Sequence, residues 1–189
     1  MFQHIILASQ SPRRKQLLEW AEQPFEIILA PTDENYPEEM RIEDVPVYIA
    51  RNKATAVKAK HSYITQPILA ADTVVVLNNK IIGKPADADD AMQILKSLSG
   101  NTHKVVTGVV IMYKENEICF SDTTHVTFYE LTDEQIKFYV DKYKPYDKAG
   151  AYAIQEWIGV TGIKSIDGDF YNVMGLPVSR VLQQLQTLY

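Results

Sequence analysis

Short apolar runs along the chain predict the strands of a sheet. Residues 4–8 and 25–30 are each apolar enough for a buried strand. The run ILAADTVVVL, followed by NNKIIG, predicts a β-hairpin with Asn78 and Asn79 at its turn. Two longer runs, KVVTGVVIMY and SDTTHVTFYEL, are joined by KENE and predict a second antiparallel pair. These hairpins indicate that antiparallel pairing contributes much of the sheet.

Apolar positions at helical spacing predict five helices between and after these strands. They begin at Pro12, cover 47–60, DADDAMQILKSL and TDEQIKFYVDKY, and end with a segment that starts at about Leu176. Strands and helices therefore alternate, but the hairpins are antiparallel. We expect an α/β fold with a mixed, largely antiparallel central sheet flanked by helices. No repeat or flexible linker interrupts the pattern, so one domain is expected over residues 1–189.

The composition narrows the range of partners. The formal net charge of −5 argues against binding nucleic acid or an anionic membrane through overall charge. The first apolar run is too short for a membrane span or a signal-peptide core. A single cysteine, Cys119, excludes an intramolecular disulfide and, within a predicted strand, is expected to have a packing role. A cytoplasmic protein without membrane or nucleic-acid partners is the resulting expectation.

The opening stretch ASQSPRR combines a strand end, a loop and a helix start. Free backbone N–H groups of the first helical turn carry a partial positive charge. Ser9 and Ser11 add hydroxyl groups, and Arg13 and Arg14 add two guanidinium groups suited to phosphate oxygens. The stretch predicts an anion cradle, although it lacks the glycines of a Walker loop. The alternative is an ordinary capped helix with two solvated arginines.

Lys53 and Asp72 are charged residues in apolar surroundings. Lys53 lies on the same helix face as small apolar residues, so it either extends to solvent or points at an anionic partner. Asp72 interrupts an apolar strand, where an unpaired carboxylate would be costly. We expect it at a strand end, facing a metal, a water molecule or a basic group. A carboxylate that caps a neighbouring turn is the second interpretation.

Weaker sequence signals indicate a residue that could recognise a nucleobase and a site that could bind a cation. Gln155 ends the weakly charged segment AGAYAIQ and could read a nucleobase edge or satisfy backbone groups of a buried loop. Lys84 follows the first hairpin in a GKP turn, and Glu34 belongs to an acidic run that binds a cation or is simply solvated. The histidines are too scattered for a zinc site, which leaves a hard metal such as magnesium. Together these residues predict metal-assisted chemistry on a nucleotide polyphosphate.

The chain resembles the Maf family of nucleoside triphosphate pyrophosphatases over essentially its whole length. The matching segments, in order, are ASQSPRR, ARNKA, AADTVV, GKP, DKAGAYAIQ and YNVMGLP. The resemblance implies an elongated, two-lobed fold related to inosine triphosphate pyrophosphatases, with a cleft between the lobes. It implies hydrolysis of a nucleoside triphosphate to the monophosphate and pyrophosphate, supported by magnesium or manganese. AADTVV and AGAYAIQ resemble the branch that acts on dTTP and UTP.

The resemblance also implies roles for individual residues. Asp72 becomes the proton acceptor and, with Glu34, a metal ligand. Three positions match residues that are linked to substrate choice in the family: Arg13, Thr73 and Gln155. Five further positions match residues that line the family's cleft: Ser9, Arg14, Glu34, Lys53 and Lys84. Gln10 replaces the small residue often found between the two serines. The resemblance makes a homodimer plausible.

Two other functions compete with this hypothesis. The same reaction could act on 7-methyl-GTP or another modified nucleotide, and purine selectivity would favour that alternative. The protein could instead be a nucleotide-sensing regulator of cell division with incidental catalysis. Tight binding with negligible turnover would support the regulator. Binding of nucleic acid through the arginine loop is disfavoured, because the chain is acidic and has no long basic stripe.

Overall fold

The computed structural model describes residues 3–188, so Met1, Phe2 and Tyr189 of the predicted domain lie outside it. Within that range the chain forms an α/β fold. The strands are β1 (Ile5–Leu7), β2 (Phe25–Ile27), β3 (Ile68–Leu77), β4 (Lys80–Ile82), β5 (Thr102–Tyr113), β6 (Asn116–Phe128) and β7 (Ile163–Asp167). The helices are α1 (Pro12–Trp20), α2 (Val45–Lys60), α3 (Ala88–Leu98), α4 (Asp133–Tyr143), α5 (Trp157–Gly162), α6 (Phe170–Val173) and α7 (Val178–Gln186).

The strands form one mixed sheet, as predicted. Its order is β2-β1-β3-β5-β6-β7, and β4 pairs with β3 beside this path. Strand β1 is parallel to β2 and to β3, whereas the β3–β4 and β6–β7 pairs are antiparallel. Asn78 and Asn79 have φ angles of 50° and 59°, as a two-residue type I′ hairpin turn requires. The predicted hairpin is therefore confirmed.

The chain divides into two compact units. The first unit comprises Met1–Asp72, Thr107–Asp122 and Gly175–Tyr189, and the second comprises Thr73–Val106 and Thr123–Met174. The strands β3, β5 and β6 each contribute residues to both units.

Each unit has its own apolar cluster. In the first unit, α2 packs on the sheet through small side chains, with Ala50 and Ala54 against Ile6 and Val110. The start of α2 also lies close to Gly108 of β5, where an added Cβ would stand 2.1 Å from the Val47 nitrogen. In the second unit, side chains of three strands meet and are covered by further apolar residues; they are Val75, Val105 and Val126. Burial of these side chains determines which face of each strand points into the apolar core.

The predicted helices are present with shifted ends. Helix α2 begins at Val45 instead of residue 47, and α7 begins at Val178 because Pro177 precedes it as the capping residue. Thr132 starts α4 with a reciprocal capping box to Gln135. Two short helices, α5 and α6, flank β7 where only β pieces were expected. Within residues 3–188, none of the helices is both long and apolar enough to span a membrane.

Candidate active site

The loop between β1 and α1 is shaped by its two serines. The buried Ser9 hydroxyl accepts hydrogen bonds from the Ser11 backbone N–H at 3.2 Å and from Arg14 Nη1 at 3.1 Å. The Ser11 hydroxyl caps α1 by accepting from the Arg14 backbone N–H at 3.4 Å. The hydroxyls therefore hold the loop that presents the two arginines.

Arg14 is buried, whereas the alternative of an ordinary capped helix requires it to be solvated. It is 8% exposed, and its Nε donates to the Gly175 carbonyl at 2.8 Å. Burial lowers the pKa of Arg14, and the nearby carboxylates of Asp72 and Glu34 oppose that shift. The charge of Arg13 lowers the same pKa further, so both guanidinium groups act on one another. Positive charge is thus concentrated near the Asp72 and Glu34 carboxylates.

Lys53 joins two carboxylates. Its Nζ lies 2.7 Å from Asp72 Oδ1 and 2.7 Å from Glu34 Oε1. Side-chain exposure is 17% for Lys53, 15% for Asp72 and 54% for Glu34. Of the two alternatives for Lys53, the structure shows the one with anionic partners. Asp72 faces a basic group, as expected, but the expected strand-end position is wrong, because it lies in the middle of β3.

The residues present fit a hard divalent cation. Asp72 and Glu34 reach the same ammonium nitrogen, so one cation already stands between their oxygens. No group of three histidine, cysteine or acidic side chains suited to a metal occurs in the described part of the chain. Mg²⁺ commonly binds through one or two carboxylates and completes its coordination with substrate phosphates and water. A two-carboxylate donor set is therefore sufficient for magnesium or manganese in the presence of a nucleotide.

The remaining predicted residues belong to the second unit. Gln155 is exposed after four buried residues, so the loop before it is buried while its own side chain faces solvent. Lys84 is exposed next to Gly83, whose carbonyl accepts from the Gly150 N–H at 3.1 Å. The GKP turn and the start of AGAYAIQ are therefore neighbours. Thr73 is half-buried and follows Asp72 in β3, so the two side chains leave opposite faces of the strand.

Gly150 is required by the backbone of the AGAYAIQ segment. Its φ of +72° lies in the left-handed region, where side chains are strained. An added Cβ would also approach Val75 Cγ2 to 2.9 Å. A 3₁₀ turn, Ala149–Ala151, is thereby seated on β3. The local fold of this segment therefore follows from one glycine and its strand neighbour.

Sequence reasoning missed a group of polar residues around this segment. Tyr139 and Lys148 both contact Glu156, and Lys148 is buried. A lysine and a glutamate that flank an apolar segment, at 148 and 156, were the available signal. Tyr139 lies in α4, and only the folded structure brings it to this pair.

Cys119 lines a pocket of the first unit. The predicted packing role of Cys119 is wrong, because the thiol is exposed and accepts from Arg51 Nη2 at 3.4 Å. Arg51 also pairs with Glu117 at 2.8 Å. A pocket of about 380 Å³ in the first unit is lined by Met40, Asp44, Val47, Tyr48, Arg51, Cys119, Phe120 and Ser121. None of the predicted site residues lines this pocket.

Comparison with known proteins finds a matching family and similar sequences along nearly the whole chain. Residues 4–188 match the family described as Maf-like protein. A dTTP/UTP pyrophosphatase of Cytophaga hutchinsonii is 49% identical over 185 residues, covering 98% of this chain and 84% of that protein. A dTTP/UTP pyrophosphatase of Parabacteroides distasonis is 46% identical over 183 residues, covering 96% and 94%.

The structural comparison concerns the fold alone. The Ham1 protein of Staphylococcus aureus aligns with a TM-score of 0.53 and 14% identity, covering 99% of this chain and 100% of that one.

Proposed function

Because the chain belongs to the Maf-like protein family, we propose that it hydrolyses dTTP and UTP to the nucleoside monophosphate and pyrophosphate. The observation that carries the proposal is the contact of Lys53 with both Asp72 and Glu34, close to the buried charge of Arg14. Such a set of cations and carboxylates suits a substrate that carries both phosphate charge and a metal. The names of the relatives support the choice of dTTP and UTP.

The basic side chains bind the triphosphate in this proposal. Arg13 and Arg14 supply guanidinium groups that match phosphate oxygens in pairs, and Lys53 supplies a compact charge. Charge on the leaving pyrophosphate grows as the bond to the α-phosphorus breaks. Cations fixed beforehand stabilise that charge more strongly than water does, because they need no reorganisation. Burial of Arg14 strengthens its contribution, since solvent screens it poorly.

Asp72 accepts the proton of the attacking water. The water oxygen forms a bond to the α-phosphorus, and the bond from that phosphorus to the bridging oxygen breaks. The electron pair leaves with pyrophosphate, and the proton passes to the Asp72 carboxylate. Lys53 holds that carboxylate at 2.7 Å and so fixes its direction before substrate arrives.

Asp72 and Glu34 would also hold magnesium or manganese. When bound, the ion offsets phosphate charge and makes a coordinated water more acidic. Lys53 would exchange its carboxylate contacts for contacts to phosphate oxygens of the bound nucleotide. The 54% exposure of Glu34 leaves room for this exchange.

In this proposal Gln155 and Thr73 of the second unit select the base. The amide of Gln155 offers one acceptor and a pair of donors. Thymine and uracil present an O4 acceptor and an N3–H donor, which suit such an amide. Cytosine presents an amino group and an unprotonated N3 at the same places, so its pattern is reversed. A free amide can turn over and match either pattern, so selection requires that the Gln155 amide be held in one orientation; the polar groups of a site so held would remain unpaired against cytosine.

A nucleotide panel tests the proposal. Pyrophosphate release is measured for dTTP, UTP, CTP, dATP, GTP and 7-methyl-GTP, with magnesium or manganese. Selective turnover of dTTP and UTP is the expected result. Preference for 7-methyl-GTP would keep the reaction and overturn the substrate. Tight nucleotide binding without turnover would overturn the enzymatic proposal and favour a nucleotide-sensing regulator.

A further inference from the structure

Three polar side chains of the second unit enclose the segment that carries Gln155. Lys148 immediately precedes residues 149–155, and Glu156 immediately follows them. Tyr139 reaches the same place from α4 and is fully buried. These three residues, Tyr139, Lys148 and Glu156, are called the clamp below.

The contacts of the clamp close the segment at both ends and near its middle. Lys148 Nζ lies 3.6 Å from Glu156 Oε1, which joins the two ends. The Tyr139 hydroxyl donates to Glu156 Oε2 and accepts from the Ala153 N–H at 3.2 Å. The exposed Asp147 carboxylate adds a contact to Lys148 Nζ at 2.7 Å. One hydroxyl and one ion pair therefore bind residues 148, 153 and 156 to each other.

A buried ion pair is a poor source of stability. Removing two charges from water is costly, and apolar replacements of similar volume are often as stable. What a satisfied polar network provides is one defined geometry, because its donors and acceptors match in a single arrangement. The side chain of Lys148 is 9% exposed, so its contacts are not interchangeable with contacts to solvent. The clamp therefore determines conformation more than it determines stability.

Gln155 lies directly within this constraint. Ile154 before it is buried, and Glu156 after it is held by Tyr139 and Lys148. A Cβ on Gly159 would stand 1.7 Å from the Ile154 carbonyl oxygen, so the start of α5 also packs tightly on this backbone. The backbone of Gln155 is thus fixed from both sides, while its side chain is exposed.

We propose that Tyr139, Lys148 and Glu156 are positioning residues that set the direction of Gln155 and thereby the choice of pyrimidine. This inference rests on the proposed function, because it takes Gln155 as the residue that reads the base. The clamp touches neither the base nor the reacting atoms in this account. Its loss should therefore change selectivity while leaving the chemical step largely intact.

Tyr139→Phe is the sharpest test, because it removes only the hydroxyl. We expect the dTTP-to-CTP ratio of kcat/KM to fall about 10-fold, through a higher KM for dTTP with kcat retained. Tyr143→Phe is the matched control, since Tyr143 stacks on Tyr139 in the same helix with ring centroids 4.9 Å apart. Glu156→Gln keeps an acceptor for the Tyr139 hydroxyl and should lose less selectivity than Tyr139→Phe. Unchanged selectivity in Tyr139→Phe, or an equal loss in Tyr143→Phe, would overturn the proposal.

Amide hydrogen exchange separates this inference from the proposed function. Exchange in residues 149–156 should accelerate about 10-fold in Tyr139→Phe and remain unchanged in Tyr143→Phe. If the native chain turned over no pyrimidine nucleotide, the proposed function would fail, and this inference would fall with it. If selectivity for dTTP held in the native chain but exchange did not change in Tyr139→Phe, only the clamp would be overturned.

Discussion

Each unit contains a lysine that contacts two carboxylates. In the first unit, Lys53 pairs with Asp72 and with Glu34, and Glu34 is 54% exposed. In the second unit, Lys148 pairs with the exposed Asp147 at 2.7 Å and with Glu156 at 3.6 Å, and Glu156 also accepts from the buried Tyr139 hydroxyl. An exposed carboxylate such as Glu34 can exchange its partner for a ligand at little cost, whereas Glu156 is also held by a buried hydroxyl and is harder to move. The comparison agrees with our proposals, in which the first unit carries out the chemistry and the clamp of the second unit holds a binding segment in place.

The largest effect is expected at the proton acceptor. Asp72→Asn keeps the size of the side chain but accepts a proton poorly, so turnover of dTTP should fall by about 10³-fold. The asparagine still accepts a hydrogen bond from Lys53, so the thermal unfolding midpoint should remain close to that of the native chain. Asp141→Asn, at an exposed ion pair with Lys137, is the control and should retain activity. A folded, fully active Asp72→Asn protein would remove Asp72 from the catalytic role.

Acid should destabilise the second unit through His103. Burial lowers its pKa from 6.5 to about 4, and its Nε2 lies 2.7 Å from the Tyr152 hydroxyl. At a pH between these two pKa values, the His103 imidazole therefore binds a proton more readily in the unfolded chain than in the folded one. Stability is fully present above pH 6.5 and is lost as pH falls toward 4, by on the order of 3 kcal/mol in total.

Urea unfolding at pH 7 and pH 5 checks this prediction. His103→Gln should weaken the pH dependence, and His125→Gln, at an exposed position on β6, should leave it unchanged. Titration of the imidazole followed by NMR gives an answer even where the variant folds poorly. An ordinary pKa for His103 in the folded chain would contradict the burial argument.

Lys53 tests whether the first unit exchanges its partners. Lys53→Met removes the cation between two carboxylates, which then lack a competing positive charge. In the absence of nucleotide, Mn²⁺ should therefore bind about 10-fold more tightly. Turnover of dTTP should nevertheless fall, by about 10²-fold, since a phosphate contact is lost. Lys58→Met on the same helix is the control, since Lys58 donates to the Lys114 carbonyl at an exposed position. Electron paramagnetic resonance of Mn²⁺ measures the binding, and weaker binding in Lys53→Met would refute the exchange.

The smallest effect is expected at Gln155. Its side chain is exposed, so Gln155→Ala should leave stability unchanged. The preference for dTTP over CTP should fall about 10-fold, the size expected for loss of one base contact. Gln183→Ala, at an exposed position of α7, is the control. Unaltered selectivity would remove Gln155 from base reading and would weaken the comparison of the two units.

The sequence predicted elements better than it predicted side-chain partners. Apolar runs and turn residues located β3, β4 and their hairpin, because burial and turn geometry act over a few residues. Short helices α5 and α6 were missed, since four to six residues carry too little periodicity. Cys119 was expected to pack, but it lies on the exposed face of β6. Alternation alone does not reveal which face of that strand is covered.

The candidate site was predicted residue by residue, but its contacts were not. Charge in apolar surroundings singled out Lys53 and Asp72, and the fold shows that they pair. Glu34 looked like one of several solvated acidic residues, because its contact with Lys53 joins positions 19 residues apart through a loop. Tyr139 carried no signal, since a tyrosine in an amphipathic helix resembles ordinary core. Long-range partners of this kind depend on the tertiary fold rather than on local pattern.

Hydrolysis of dTTP in H₂¹⁸O tests the central claim most directly. If the charged residues of the first unit support attack of water on the α-phosphorus, one ¹⁸O atom should appear in dTMP and none in the released pyrophosphate. Mass spectrometry of both products reads the result in a single turnover. Label in pyrophosphate, or release of orthophosphate from dTTP, would place the attack at another phosphorus and contradict the account.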